Sequence, residues 1–186
     1  MSRKASSEVV INDAAWKVIQ KKLEAFTKKK DGPSVKVGVF QTAGEYEDGM
    51  SIVEVAALQE FGSPGGMIPE RSFLREPLKN AKDDMAKISE RIMKAIVAGK
   101  MDEKTGLALL GQWAVKTCRN AITEGDGIPP PNAPSTIAKK KSSRPLVGNT
   151  GRLINSITYQ VSGENAEEPH GGGAEAGGSE PEVEAE

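Results

Sequence analysis

Apolar positions recur along the chain at two periods, and the period marks the elements. In 13–30, Ala15, Trp16, Ile19, Leu23 and Phe26 fall at three- and four-residue steps, the stripe of an amphipathic helix. Asn12 or Asp13 supplies its cap. Lys28, Lys29 and Lys30 suit its negative C-terminal end, and Asp31, Gly32 and Pro33 stop it. Val35, Val37 and Val39 then alternate with Lys36 and Gly38, which predicts a half-buried strand. Residues 41–50 are polar and contain glycine, as in a turn or loop. Ser51–Phe61 reads as a short helix, capped by Ser51 and stopped by Gly62.

Pro77 suits the first turn of a third helix. Leu78, Ala81, Met85, Ile88, Ile92 and Ile96 form its stripe, and Gly99 ends it. Asp102 caps a fourth helix, with Leu107, Leu110, Ala114, Cys118 and Ala121 on one side and Trp113 at the margin. That helix ends near Gly125. Residues 125–149 hold Pro129, Pro130, Pro131, Pro134 and Pro145 and predict a long excursion, with a short helical turn at 135–141. Asn149 or Thr150 caps another turn at 151–155. Ile157, Tyr159 and Val161 alternate with Thr158 and Gln160 as a closing strand. The expected fold class is α+β: a small, mostly antiparallel sheet packed against long amphipathic helices, with a long basic loop.

Composition changes this picture at the C-terminus. The chain has 186 residues, and all 25 of its bases lie in residues 1–152 beside 18 acids, which leaves that part at +7. Residues 153–186 carry eight acids and no base. Residues 163–186 hold almost no large apolar side chain, so this acidic Gly/Glu-rich tail is expected to be disordered on its own. The organisation read from the sequence is one domain at 1–162, with a protruding basic loop at 125–149, followed by the tail at 163–186. No apolar run approaches the roughly 18 residues of a membrane span, and the first ten residues lack the apolar stretch of a secretory signal.

Candidate chemistry is sparse. One cysteine and one histidine, Cys118 and His170, put disulfide frameworks, histidine-based triads and multi-histidine metal sites out of reach within one chain. Cys118 lies on an apolar helix face and reads as a core residue. The loop Gly62–Gly66 lacks a Gly-Lys-Ser/Thr ending and follows no strand, so it is not a phosphate cradle. Asp83 and Asp84 read as a solvated helix face, and Glu60 as a local hydrogen-bonding or interface residue. No cofactor and no catalytic set is expected. The cluster Lys139, Lys140, Lys141, Arg144 and Arg152 has five bases and no intervening acid. It reads either as a solvated loop or as a contact to a polyanion, DNA backbone or an acidic protein. No aromatic side chain interrupts it, so base stacking is not supported.

Two segments carry a more specific signal. Glu54–Arg75 reads EVAALQEFGSPGGMIPERSFLR, and Ala133–Val161 reads APSTIAKKKSSRPLVGNTGRLINSITYQV. Together they resemble the neck and tail-completion proteins of long-tailed double-stranded DNA bacteriophages, also called virion-morphogenesis or tail-component proteins. The family pattern is Glu-Phe-Gly, then Ile-Pro-x-Arg-Pro-Phe-Leu. After a helical middle come Pro-Ser-Thr, a basic stretch, Pro-Leu, Asp-Thr-Gly-x-Leu and Ser-Ile. Glu60, Phe61, Gly62, Ile68, Pro69, Arg71, Phe73 and Leu74 match its first half. Pro134, Ser135, Thr136, Pro145, Leu146, Thr150, Gly151, Leu153, Ser156 and Ile157 match its second. Gln59, Ser72 and Asn149 depart from its usual His, Pro and Asp.

The resemblance implies a non-enzymatic structural protein of the virion, in the head–tail neck or at the head-proximal end of the tail, assembled in the host cytoplasm. It implies a homo-oligomeric ring, a hexamer, that meets a head connector or stopper and a tail terminator or tube, with no membrane partner. Glu60, Phe61, Arg71, Phe73, Leu74, Pro134, Ser135, Thr136, Leu146 and Leu153 are then the expected subunit or partner interface. Phe73 is expected either in the core or in an inter-subunit pocket. Lys139, Lys140, Lys141, Arg144 and Arg152 are the expected contacts to channel DNA or to an acidic neighbour. The alternative is a DNA-binding accessory protein that uses this cluster on the phosphate backbone.

Overall fold

Two five-residue strands from opposite ends of the described chain form the sheet. In this computed structural model the described residues are Lys17, 33–125, 127–140, 143–147 and 151–162. The expected helix at 13–30 (Lys17 apart), Lys141, Asn149, Thr150 and the acidic tail lie outside them. Strand β1 (Val35–Val39) pairs antiparallel with β2 (Ile157–Val161), matching Val35 with Val161, Val37 with Tyr159 and Val39 with Ile157. Beyond the pair, the Ser34 N–H donates to Ser162 Oγ at 2.7 Å and the Ser162 N–H to Ser34 O at 2.8 Å. The alternation expected for β2 fails at Thr158, which is buried. It lines a cleft together with Phe40, Ala43 and Ile52.

Helices follow in the order α1 (Ile52–Phe61), α2 (Arg75–Asn80), α3 (Lys82–Val97), α4 (Glu103–Thr123), α5 (Pro134–Lys140) and α6 (Arg152–Ser156). The architecture is α+β, a two-stranded antiparallel sheet with helices packed on it. Ser51 stands at the N-cap of α1 in extended conformation without a side-chain capping bond, and its backbone forms a β-bridge with Glu45. The helix expected from Pro77 to Ile96 is two helices. Ala81, with φ −92° and ψ 19°, breaks it, and α2 and α3 each take their own line against α4. Asp83 and Asp84 are exposed, as a solvated face requires.

Helix α4 runs across both strands. Asp102 caps it, its Oδ1 accepting the Thr105 N–H at 2.9 Å. Its buried line is Gly106, Gly111, Ala114, Cys118 and Ile122, while Leu107, Leu110, Trp113 and Ala121 are only half-buried. The two glycines are the points of closest approach. A Cβ on Gly111 would stand 2.5 Å from the Tyr159 ring and 2.9 Å from Val35 Cγ2. Around this contact Phe73, Cys118, Ile122, Ile128, Leu153, Ile157, Ile52 and Ala56 form the core. Cys118 is wholly buried, and burial pushes its thiol up to about 12, so it remains protonated and apolar in behaviour.

Candidate functional site

The segment after α1 is built around a single buried carboxylate. Glu60 occupies the last turn of α1, and its side chain turns inward rather than to water. Its two oxygens accept the Ser72 hydroxyl at 2.8 Å and the N–H groups of Phe73, Leu74 and Arg75 at 2.8, 3.0 and 3.2 Å. Arg75 Nε adds a charged bond at 2.8 Å. Three consecutive orphan N–H groups at the start of α2 are thereby satisfied by a side chain fifteen residues or fewer upstream. Burial by itself raises the pKa of this carboxyl. The bonds from Leu74, Ser72 and Arg75 outweigh it, so the net shift is below the ordinary value and Glu60 is held ionised.

Gly62 makes the turn that lets the chain return to this carboxylate. Its φ is 76°, and an added Cβ would meet Glu70 N at 3.0 Å and Ile68 O at 3.1 Å. Ser63 then staples the loop base: its N–H donates to Ile68 O at 2.9 Å and its hydroxyl accepts the Ile68 N–H at 2.8 Å. The loop tip presents Met67, which is 89% exposed.

Arg71 joins this first motif to the proline-rich second one. Its side chain is buried, and Nε donates to Pro130 O at 2.9 Å. The remaining nitrogens reach Pro131 O and Gln59 Oε1, both at 3.4 Å. Burial lowers the Arg71 pKa from its ordinary value. Gln59 thus fills, with a neutral acceptor, the position where the family pattern has His.

The two motif segments meet in one groove. Ile68, Pro69 and Arg71 line one side and Pro131, Thr136, Leu146 and Leu153 the other, around a cavity of about 640 Å³. Met50 and Met67 stand at its mouth, both exposed. Arg152 closes one end, donating to Glu45 O at 2.7 Å with its guanidinium 5.5 Å from the Tyr46 ring centroid.

The structure divides the expected interface residues. Phe61 is 63% exposed beneath the Arg75 guanidinium, and Pro134 and Ser135 are exposed. Thr136, Leu146 and Leu74 are half-buried. Glu60, Arg71, Phe73 and Leu153, by contrast, are buried, although Arg71 and Leu153 still line the groove. Phe73 is completely buried against the core, which selects the core over an inter-subunit pocket.

The basic cluster is divided as well. Arg144 donates to the Thr123 and Gly125 carbonyls, and Arg152 to Glu45 O, so both staple loops. Lys139 is exposed on α5. The sequence reading missed Met50 and Met67, whose signal was apolar side chains in otherwise polar or glycine-rich loops. It also missed Arg75, the charged partner of Glu60. Among the described residues no group of acids, Cys or His is placed to hold a metal ion, and no helix is long and apolar enough to cross a membrane.

Compared with protein-family models, curated proteins and solved structures, the chain finds no match in any of the three.

Proposed function

We propose that the chain is a non-enzymatic structural protein of the phage head–tail neck or of the head-proximal tail end. It forms a ring, helps complete the tail and joins it to the head. The observation that carries this reading is the convergence of two distant motif segments on one groove, locked from below by Glu60 and Arg71. The buried motif residues are spent on rigidity, and what they leave outside is apolar: Met50 and Met67 at the groove mouth and Phe61 beside it. A rigid wedge with exposed apolar side chains is suited to burying surface against a protein partner. The exposed Lys139 would face channel DNA or an acidic neighbour.

Light scattering on the purified chain, alone and with candidate neck proteins, tests the reading. A closed oligomer, or a complex with a neck neighbour, is expected. The Met67→Asp variant should remain folded but lose that assembly. A chain that stays monomeric with every neck neighbour overturns the proposal, as does a Met67→Asp variant that completes virions like the parent.

A further inference from the structure

Arg71 carries a charge in the groove wall, and its three hydrogen bonds go to neutral oxygens. They are Pro130 O at 2.9 Å, and Pro131 O and Gln59 Oε1 at 3.4 Å each. A guanidinium has five N–H donors, so one on each terminal nitrogen is left over. The two terminal contacts are also long against the usual distance of about 2.9–3.0 Å. Gln59 and Pro131, which receive them, line the same groove as Arg71. The residue is only 8% exposed, and burial disfavours its charge. Buried charges are paired as a rule, and the partner that matches a guanidinium fork is a carboxylate. Asp48 is the only carboxylate among the described lining residues. It is exposed, and its Oδ1 accepts the Met50 N–H at 3.1 Å.

Much of the remaining wall is apolar: Met50, Met67, Ile68, Pro69 and Leu146. A hydrated phosphodiester backbone gains nothing from such a wall. The one aromatic ring there, Tyr46, has the Arg152 guanidinium 5.5 Å from its centroid, so that face is taken and does not stack a base. The chain's own acidic segment, residues 163–186, has almost no large apolar side chain to set against the wall. Charge and apolar surface together fit a short protein segment in which apolar side chains flank an acid.

We infer that the groove receives a Glu or Asp side chain, flanked by apolar residues, from a different protein, and that the Arg71 guanidinium takes its carboxylate. This rests on the proposal that the groove is a partner surface and adds the chemistry of the partner.

Two end-blocked pentapeptides, Leu-Ala-Glu-Ala-Leu and Leu-Ala-Gln-Ala-Leu, test it on the full chain. Titrations are followed by the NMR signals of the Met50 and Met67 methyl groups, which report from the groove. The Glu peptide should shift both signals and bind at least about tenfold more tightly than the Gln peptide, as a charged hydrogen bond requires. Equal affinities, or no shift with the Glu peptide, overturn the inference. Light scattering with neck neighbours reads the neck proposal separately. That proposal survives equal peptide affinities, and it falls with a chain that stays monomeric even if the Glu peptide binds.

Gln59→Glu avoids removing the buried arginine. It places a carboxylate where Arg71 already has a neutral acceptor, so the guanidinium is neutralised from within. The variant should lose at least about tenfold in Glu-peptide affinity and keep that for the Gln peptide. A purely structural Arg71 would leave both affinities unchanged, and that result overturns the assignment. Displacement of the Glu peptide by a short DNA duplex would make the occupant phosphate and overturn the choice of a protein. An oligomer of the chain alone that Gln59→Glu dissolves would make the occupant a second copy. Tighter peptide binding after the eight acids of residues 153–186 are replaced by Gln would hand the groove to the chain's own acidic segment. Either result overturns the assignment to a different protein.

Discussion

The Glu60 carboxylate accepts the Phe73 N–H at 2.8 Å, and through this bond α1 fixes where the core's most buried aromatic enters the fold. The same carboxylate holds Ser72, Leu74 and Arg75, so its loss strands several donors at once. Glu60→Ala should therefore destabilise the subunit by about 3 kcal/mol, well beyond an exposed Glu substitution. Chemical denaturation followed by far-UV circular dichroism measures it. A loss under about 0.5 kcal/mol, the range of surface changes, would mean that the carboxylate is not a keystone.

The direction of the Glu60 shift sets a pH dependence. Its folded pKa lies below the ordinary 4.5, because the donated bonds outweigh burial. The ionised form is thus favoured by folding, and its contribution is complete above pH 4.5. It is lost as the pH falls below 4.5 and through the folded value. The unfolding midpoint should drop over that interval, and Glu60→Gln should flatten the drop. An unchanged slope in Glu60→Gln would assign the acid sensitivity to other carboxylates.

Elements built from one local signal were legible in the sequence. The alternation of Val35, Val37 and Val39 gave β1, and Asp102 before an apolar-periodic run gave the start of α4. What failed depends on partners distant in sequence. Thr158 is polar by type, but it is buried in β2 beside a cleft it shares with Phe40 and Ile52. Phe61 and Phe73 sit in equally apolar motif contexts, yet one is exposed and the other buried, because Glu60 draws only the Phe73 segment inward. The motif residues named the site, while their division into buried support and exposed surface required the fold.

Gly111 illustrates a residue whose role no helix propensity reveals. Ala is favoured over Gly in a helix by about 1 kcal/mol. At this position the added Cβ would stand 2.5 Å from the Tyr159 ring, an aromatic held in the buried strand β2. Neither side can yield cheaply, so Gly111→Ala should cost a net 1–3 kcal/mol, about the range for overpacking. Gly99, with open space around it, is the comparison only for packing, since its φ of 74° strains any side chain. A thermal melt that shows Gly111→Ala at or above the parent midpoint would mean that α4 does not rest on β2 as closely as described.

Two variants separate the inside of the motif from its outside. Phe73 is wholly buried, and Met67 is 89% exposed on a loop stapled at its base by Ser63. Phe73→Ala should cost about 3–5 kcal/mol and lower the unfolding midpoint of the isolated subunit. Met67→Asp should leave that midpoint within the range of surface substitutions, about 0.5 kcal/mol. Assembly should respond in the opposite sense. Met67→Asp places a charge where an apolar contact would have to desolvate it, so docking fails although folding is intact. Phe73→Ala, studied below its lowered midpoint, should still display Met67 and still dock, with an affinity reduced only by the unfolded fraction. Light scattering with a neck neighbour, on both variants at the same folded concentration, reads the difference. Equal docking by Met67→Asp and the parent would remove the loop from the interface and leave the groove behind it without a role in partner binding.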